Sequence, residues 1–188
     1  MTIDLHTHTT FSDGTDSPAT LLQAAVAAGL RAVAVTDHDT TGGWQAAALA
    51  RPEGLTLVRG AEFSTHLVGE GRRVSVHLLG YLFDPRFPAL AAEMARLRAD
   101  RLERGMAIVD RMVAAGLPLS REQVLNIAGD APVGRPHIGR ALVAAGLVGS
   151  VTEAFAQYLS WRGPYFVRKA DTELRTAIEL VRGAGGVP

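Results

Sequence analysis

An α/β fold is predicted for this 188-residue chain from three observations. Short apolar runs alternate with capped helical segments over residues 1 to about 83, as a sheet layered with helices requires. Each run carries, or is followed by, a histidine or an acid, and in (β/α) arrangements groups far apart in sequence gather at the carboxyl ends of parallel strands. An all-helical tract over 84–162 then interrupts the pattern, and residues 163–188 return to strand and helix. The tract reads as an insertion between strands.

The first run, Thr2-Ile3-Asp4-Leu5, reads as a short strand leading into His6-Thr7-His8. Residues i and i+2 of a strand share a face, so two imidazoles can reach one metal ion. Asp4 lies on that face too and reads equally as a buried structural acid. The turn Phe11-Ser12-Asp13-Gly14-Thr15 offers Asp13 as a ligand, although Asp is common there for turn chemistry alone. Ser17 as N-cap, Pro18 at the first helical position, apolar Leu21, Leu22 and Ala25, and Gly29 as a stop announce the first helix. Ala32 to Thr36 reads as a buried strand ending in Asp37-His38-Asp39, where either acid could orient an imidazole behind a metal or serve a cap or turn. A second helix covers residues 43–50 and ends near Pro52. Leu55 to Val58 leads through Arg59-Gly60-Ala61 to Glu62, a carboxylate able to bridge two cations. His66, in a polar segment, reads as a surface residue. Val74 to Tyr81 carries His77, and Asp84-Pro85 closes that strand.

In the helical tract, a long helix runs from about Pro88 to Ala115 with an apolar stripe of Leu90, Met94, Leu97, Val109, Met112 and Val113. Arg101, Arg104 and Arg111 share one of its faces, for which solvation is the default. Shorter helices follow near 120–128, 136–145 and 151–159. Arg135-Pro136-His137-Ile138 opens one of them, so that backbone N–H groups, a guanidinium and an imidazole could converge on a phosphate. The alternative is a basic helix start on the surface. Tyr165-Phe166-Val167 reads as a strand, Arg168 and Lys169 could line the same cleft, and a last helix spans Asp171 to Ala184.

Composition excludes several classes. The chain is 47% hydrophobic with zero formal net charge, which argues against adhesion to long duplex nucleic acid or an anionic membrane. No apolar run reaches spanning length and no signal peptide precedes the first strand. With no cysteine, thiolate metal sites are excluded and a reducing, cytoplasmic setting fits. No P-loop or Gly-x-Ser-x-Gly elbow offers a competing chemistry.

The constellation His6-x-His8, Ser12-Asp13-Gly14-Thr15, Thr36-Asp37-His38-Asp39, Gly60-Ala61-Glu62 and Val76-His77-Leu78-Leu79-Gly80-Tyr81 closely resembles the PHP (polymerase and histidinol phosphatase) family of metal-dependent phosphoesterases. Gly134-Arg135-Pro136-His137-Ile138 is similar to the branch of nucleoside 3′,5′-bisphosphate phosphatases and short-RNA exonucleases. The resemblance implies a distorted (β/α)7 barrel holding up to three divalent metals. By motif, His6, His8 and Glu62 belong to one, Asp13 and His38 to a second, and Glu62 with His77 to a third. Mixed imidazole and carboxylate ligands suit manganese, zinc or iron. The family also carries an Ala-His-Pro and an Asp-x-His beyond Gly183-Ala184-Gly185-Gly186-Val187-Pro188, so the chain reads as the N-terminal part of a longer protein.

The resemblance implies hydrolysis of a phosphate monoester by metal-bound hydroxide, with no separate side-chain nucleophile. Arg135 and His137 would hold substrate phosphate, and the substrate would be a small nucleotide carrying two phosphates. A 5′-3′ exonuclease acting on short RNA is the alternative within that chemistry. A non-catalytic metal-binding module is the alternative outside it.

Overall fold

The computed structural model describes residues 2–69 and 71–188. In chain order the elements are β1 (Ile3–Thr7), α1 (Pro18–Ala27), β2 (Ala32–Val35), α2 (Trp44–Ala50), β3 (Thr56–Gly69), β4 (Arg72–Tyr81), α3 (Pro88–Ala114), α4 (Arg121–Ala128), α5 (Arg135–Ala144), α6 (Val151–Gln157), β5 (Thr172–Glu173) and α7 (Leu174–Gly183). They form two compact units, residues 1–98 with 171–188, and residues 99–170. Among the described residues, no helix is long and apolar enough to cross a membrane.

The first unit is the α/β one. Strands β1, β2 and β3 lie side by side and parallel, joined by the crossover helices α1 and α2. The Ser17 side chain accepts from the Thr20 N–H at 3.1 Å, and Pro18 fills the first turn, so α1 starts where its cap sequence demands. Gly29 ends it at φ +75°, a conformation open to glycine at no steric cost. Leu22 and Ala25 of α1, Val33 and Val35 of β2, Trp44 and Ala47 of α2, and Leu90 and Met94 at the start of α3 share one core.

Two departures from simple strand patterning matter for the site. Ile3 and Asp4 pair with Ala32 and Val33, but Thr7 pairs with Val35, so β1 carries one extra residue and bulges between Asp4 and Thr7. Strand β3 also runs 14 residues, well past Glu62, and folds back as an antiparallel hairpin with β4 from Gly60↔Tyr81 to Gly69↔Arg72. Glu62 and His77 therefore sit inside a hairpin rather than at the carboxyl ends of parallel strands. Its other edge takes β5 in parallel at Thr65 and His66.

The second unit is helical, with Val109, Met112, Val124, Ile138, Leu142, Ala154 and Leu159 at its centre. The apolar stripe of α3 divides, Leu90 and Met94 packing in the first core, Val109 and Met112 in the second. Val113 stays exposed. The strand expected at Tyr165-Phe166-Val167 is not one: the segment is irregular, and arginine side chains take the carbonyls that a sheet neighbour would have bonded. Arg104 Nε donates to the Val167 carbonyl at 2.9 Å and Arg111 donates to that of Phe166. Arg104 is thus buried, not part of a solvated face.

Removing a charged donor to a backbone carbonyl in this way leaves the acceptor without that bond. Arg104→Ala is expected to destabilise the protein by about 2 kcal/mol, read as a lower urea midpoint. An unchanged midpoint would show that the Arg104 contact carries no stability.

Candidate metal centre

The β1 bulge decides where the first two histidines point. His6 lies in the bulged part of β1 and His8 just past its end, so simple strand alternation does not set their relation. Bulges re-aim side chains, and here the two Nε2 atoms come within 3.2 Å of one another. The loop that follows is wound tightly on itself, the Thr9 carbonyl accepting from the Ser12 N–H at 3.0 Å and the Gly14 N–H at 3.1 Å. A Cβ on Gly14 would lie 2.5 Å from the His8 carbonyl oxygen, so only glycine allows the chain to pass there with Asp13 turned toward the histidines.

Asp37 and Asp39 hold the surrounding segments. The Asp37 carboxylate, 1% exposed, accepts from the Thr9 N–H (2.7 Å), the Thr9 hydroxyl (2.7 Å) and the Ser12 hydroxyl (2.6 Å). Asp39, at φ +54°, accepts from the Ser64 N–H at 2.9 Å and the Ser64 hydroxyl at 3.1 Å. These acids staple the first loop and strand β3 to the end of β2. Between them His38 bridges to Glu62 through the backbone: Asp39 N–H donates to the Glu62 carbonyl and Glu62 N–H to that of Asp37. Thr9, Ser12 and Ser64 are members of this buried network that sequence reasoning did not single out. Their only sequence signal is a cluster of hydroxyl residues around acids. Asp4, by contrast, is exposed and accepts from the His6 N–H.

The six side chains named from the motifs meet. His6 Nε2 and His8 Nε2 lie 2.7 and 2.8 Å from Glu62 Oε2, and His38 Nδ1 lies 3.7 Å from it. His77 Nδ1 contacts the other carboxylate oxygen, as expected for residues diagonal across the hairpin, where Glu62 faces Leu79. Asp13 is 3.5 Å from both His8 and His38. Three overlapping groups result: His6–His8–Glu62, His8–Asp13–His38 and His38–Glu62–His77. Within each, the donor atoms lie within 4.8 Å of one another. Four imidazole nitrogens and two carboxylates gathered in this way are a donor set that suits divalent transition metals. The Glu62 side chain is 4% exposed while those of His6 and His77 are 50% and 40% exposed, so the anionic floor is buried and the rim open.

Protonation follows from this geometry. Burial alone would raise the Glu62 pKa, but hydrogen bonds from His77 and His8, the charge of His38 and the bond from His6 hold it far below the carboxylate range. For His8, burial pulls downward, yet the bond to Glu62 and the charges of Asp13, Glu62 and Asp37 outweigh it, and the imidazole is raised above 6.5. The Ser12 hydroxyl gives its proton to Asp37, so it accepts from His8 Nδ1, 3.3 Å away. Nδ1–H is thereby fixed and Nε2 is left as the ligand atom.

The other predicted residues lie in different surroundings. His66 is half-buried rather than on the surface, its Nδ1 2.9 Å from the Asp171 carbonyl. In the helical unit, His137 is 2% exposed, and its Nδ1 accepts from the Gly134 N–H at 2.9 Å, closing the start of α5. Arg135 donates to the Leu159 carbonyl at 3.1 Å and stacks over Phe155; burial, then the charge of Arg101, pulls its pKa down.

A family model described as the PHP domain matches residues 4–116. The chain is 37% identical to a 5′-3′ exoribonuclease of Haemophilus influenzae, over 98% of this chain and 66% of that protein. It is 36% identical to a 3′,5′-nucleoside bisphosphate phosphatase of Chromobacterium violaceum, over 98% and 64%. Among solved structures, it matches a Bifidobacterium adolescentis protein assigned as a metal-dependent phosphoesterase at TM-score 0.91 and 40% identity, covering 98% of this chain and 64% of that one. The chain thus spans just under two thirds of the length of these proteins.

Two outcomes are expected of this centre. Asp37→Ala removes no candidate ligand but frees the loop holding His8 and Asp13, and should weaken manganese or zinc binding by about 10- to 100-fold in a chelator competition. Unchanged affinity would show that the loop holds its shape without Asp37. The raised His8 pKa favours the ion-free fold below pH 6.5 and ceases to do so as pH climbs through the raised value. A cation must displace that proton, so metal affinity should rise with pH over the same interval, with protons released in titration calorimetry across buffers of different ionisation heat. A pH-independent affinity would contradict the assignment.

Proposed function

The chain belongs to the PHP domain family, and on that premise we propose that it serves the metal-dependent hydrolysis of a phosphate monoester on a small nucleotide carrying two phosphates. The observation that carries this reading is the convergence of four imidazoles and two carboxylates in three overlapping groups around Glu62. The groups would hold up to three ions, manganese, zinc or iron by their donor chemistry, with the two oxygens of Glu62 able to serve two of them. The chemistry such cations supply when bound is acidification of water and neutralisation of charge on phosphoryl oxygens.

The chain's own groups prepare that chemistry. Glu62 stays a carboxylate at any working pH and so presents a permanent charge at the floor. Asp37, through Ser12, keeps the His8 Nε2 lone pair turned inward. The exposed rim imidazoles of His6 and His77 leave room for a phosphate to approach. In the helical unit, Arg135 is assigned a phosphate contact, since a guanidinium recognises phosphate oxygens in pairs. His137, whose Nδ1 accepts from the Gly134 N–H, closes the turn that carries Arg135. A nucleotide with two phosphates is favoured because a relative sharing 36% of its residues is named for that substrate. Stepwise cleavage of short RNA is the second reading, favoured by the 37% identical exoribonuclease.

The test is phosphate release from adenosine 3′,5′-bisphosphate with manganese, comparing the 188-residue chain with one extended to the length of its relatives. Glu62→Gln and His8→Ala should each lower the rate by about a hundredfold or more with the fold retained. Free phosphate as product supports the phosphatase, and mononucleotides released from a short RNA support the nuclease. No product from either chain, despite bound manganese, would overturn both.

A further inference from the structure

We propose that residues 161–168 of the helical unit form a stacking platform for a short single-stranded oligonucleotide, with Trp161 and Phe166 receiving bases and Arg162 and Arg168 receiving phosphates. Trp161 is 65% exposed, the most exposed aromatic among the described residues, and Phe166 is 38% exposed. Rings of this size are ordinarily buried, and left open they mark interaction surfaces. The Arg162 guanidinium lies 4.3 Å over the Trp161 ring, a cation set beside a π-face.

The segment is not a loose loop. Tyr165 and Val167 turn inward to the helical core, and Tyr165 stacks with Tyr158. Arg104 and Arg111 hold the Val167 and Phe166 carbonyls, and the Phe166 N–H donates to Gly163. With Tyr165 and Val167 turned in, Pro164, Phe166 and Arg168 are exposed on a segment held by the turn that the Phe166 N–H closes on Gly163. Among the described residues neither Arg162 nor Arg168 pairs with a carboxylate, so both charges remain for a polyanion. Uncompensated guanidinium groups alternating with open rings match a ligand that alternates phosphates with flat bases. The formal net charge of zero keeps attraction to long nucleic acid weak, which favours a short strand gripped locally.

This inference rests on the nucleotide reading for the kind of ligand, but it concerns binding rather than hydrolysis. The 188-residue chain is titrated against fluorescein-labelled heptauridylate in EDTA, with anisotropy giving Kd. Trp161→Ala should weaken the heptamer by roughly tenfold or more while Trp161→Phe retains it, and uridine monophosphate affinity should be the same in all three. Arg162→Ala with Arg168→Ala should reduce the slope of log Kd against log salt by about 1.4. Equal heptamer affinity in Trp161→Ala, no heptamer binding to the unaltered chain, or self-association of the chain lost in Trp161→Ala would each overturn the platform. Trp161-dependent binding by a chain that releases no phosphate supports the platform and sinks the phosphatase reading alone. Phosphate release without heptamer binding does the reverse.

Discussion

A carboxylate buried beneath four imidazoles is the constraint around which the first unit is arranged. Glu62 is 3% exposed, and an ionised group so placed is tolerated only when positive charge and hydrogen bonds surround it. The surrounding groups arrive from separate places: the bulge of β1, the loop after it, the end of β2 and the far strand of a hairpin. Each must be held against its own tendency to move toward water. This is why the neighbourhood is rich in buried polar residues that bind no candidate ion themselves, with Thr9, Ser12, Asp37, Asp39 and Ser64 each below 4% exposure.

These residues also show how charge is distributed. Asp37 and Asp39 bring two further negative groups close to the centre, yet the bonds described for their carboxylates come from backbone N–H groups and hydroxyls. The charge of Asp37 adds to the field that favours protonated His8 in the ion-free protein. A cation replaces a proton in that field, so the acid that shapes the first loop, Asp37, also favours the ion electrostatically. Position and potential come from one set of side chains.

Much of this was legible in the sequence. The four imidazoles around Glu62, and Asp13 beside two of them, are side chains the motifs named, because residue type and order along the chain carry that information. The helices were legible through their caps: Ser17-Pro18 before α1, and the long apolar stripe of α3. What escaped were features that depend on partners remote in sequence. Nothing in Asp4-Leu5-His6 marks an extra residue relative to β2. Nothing in Leu67-Val68-Gly69 shows that β3 continues past Glu62 and returns. Tyr165-Phe166-Val167 has the composition of a strand, and only the position of Arg104 and Arg111 shows that side chains, not a neighbouring strand, take its carbonyls. For Asp37 and Asp39 both an orienting and a turn role were open, and the structure places their carboxylates on loop and strand backbone.

The hairpin of β3 and β4 has a bearing on how the centre comes into being. Glu62 and His77 are 15 residues apart and meet by closing a local hairpin, whereas His6 and Glu62 are 56 apart and meet only after two crossovers have packed. Loop closure grows costlier with separation, and parallel pairings through crossovers are the slow contacts of a fold. One imidazole of the cage is therefore brought by the local hairpin and three by more distant chain. Refolding should pass through a stage in which Glu62 has one imidazole beside it and the others are still to come. A cation captured at that stage has an incomplete shell, and its tightening then reports the docking of β1, the last edge of the sheet to be placed.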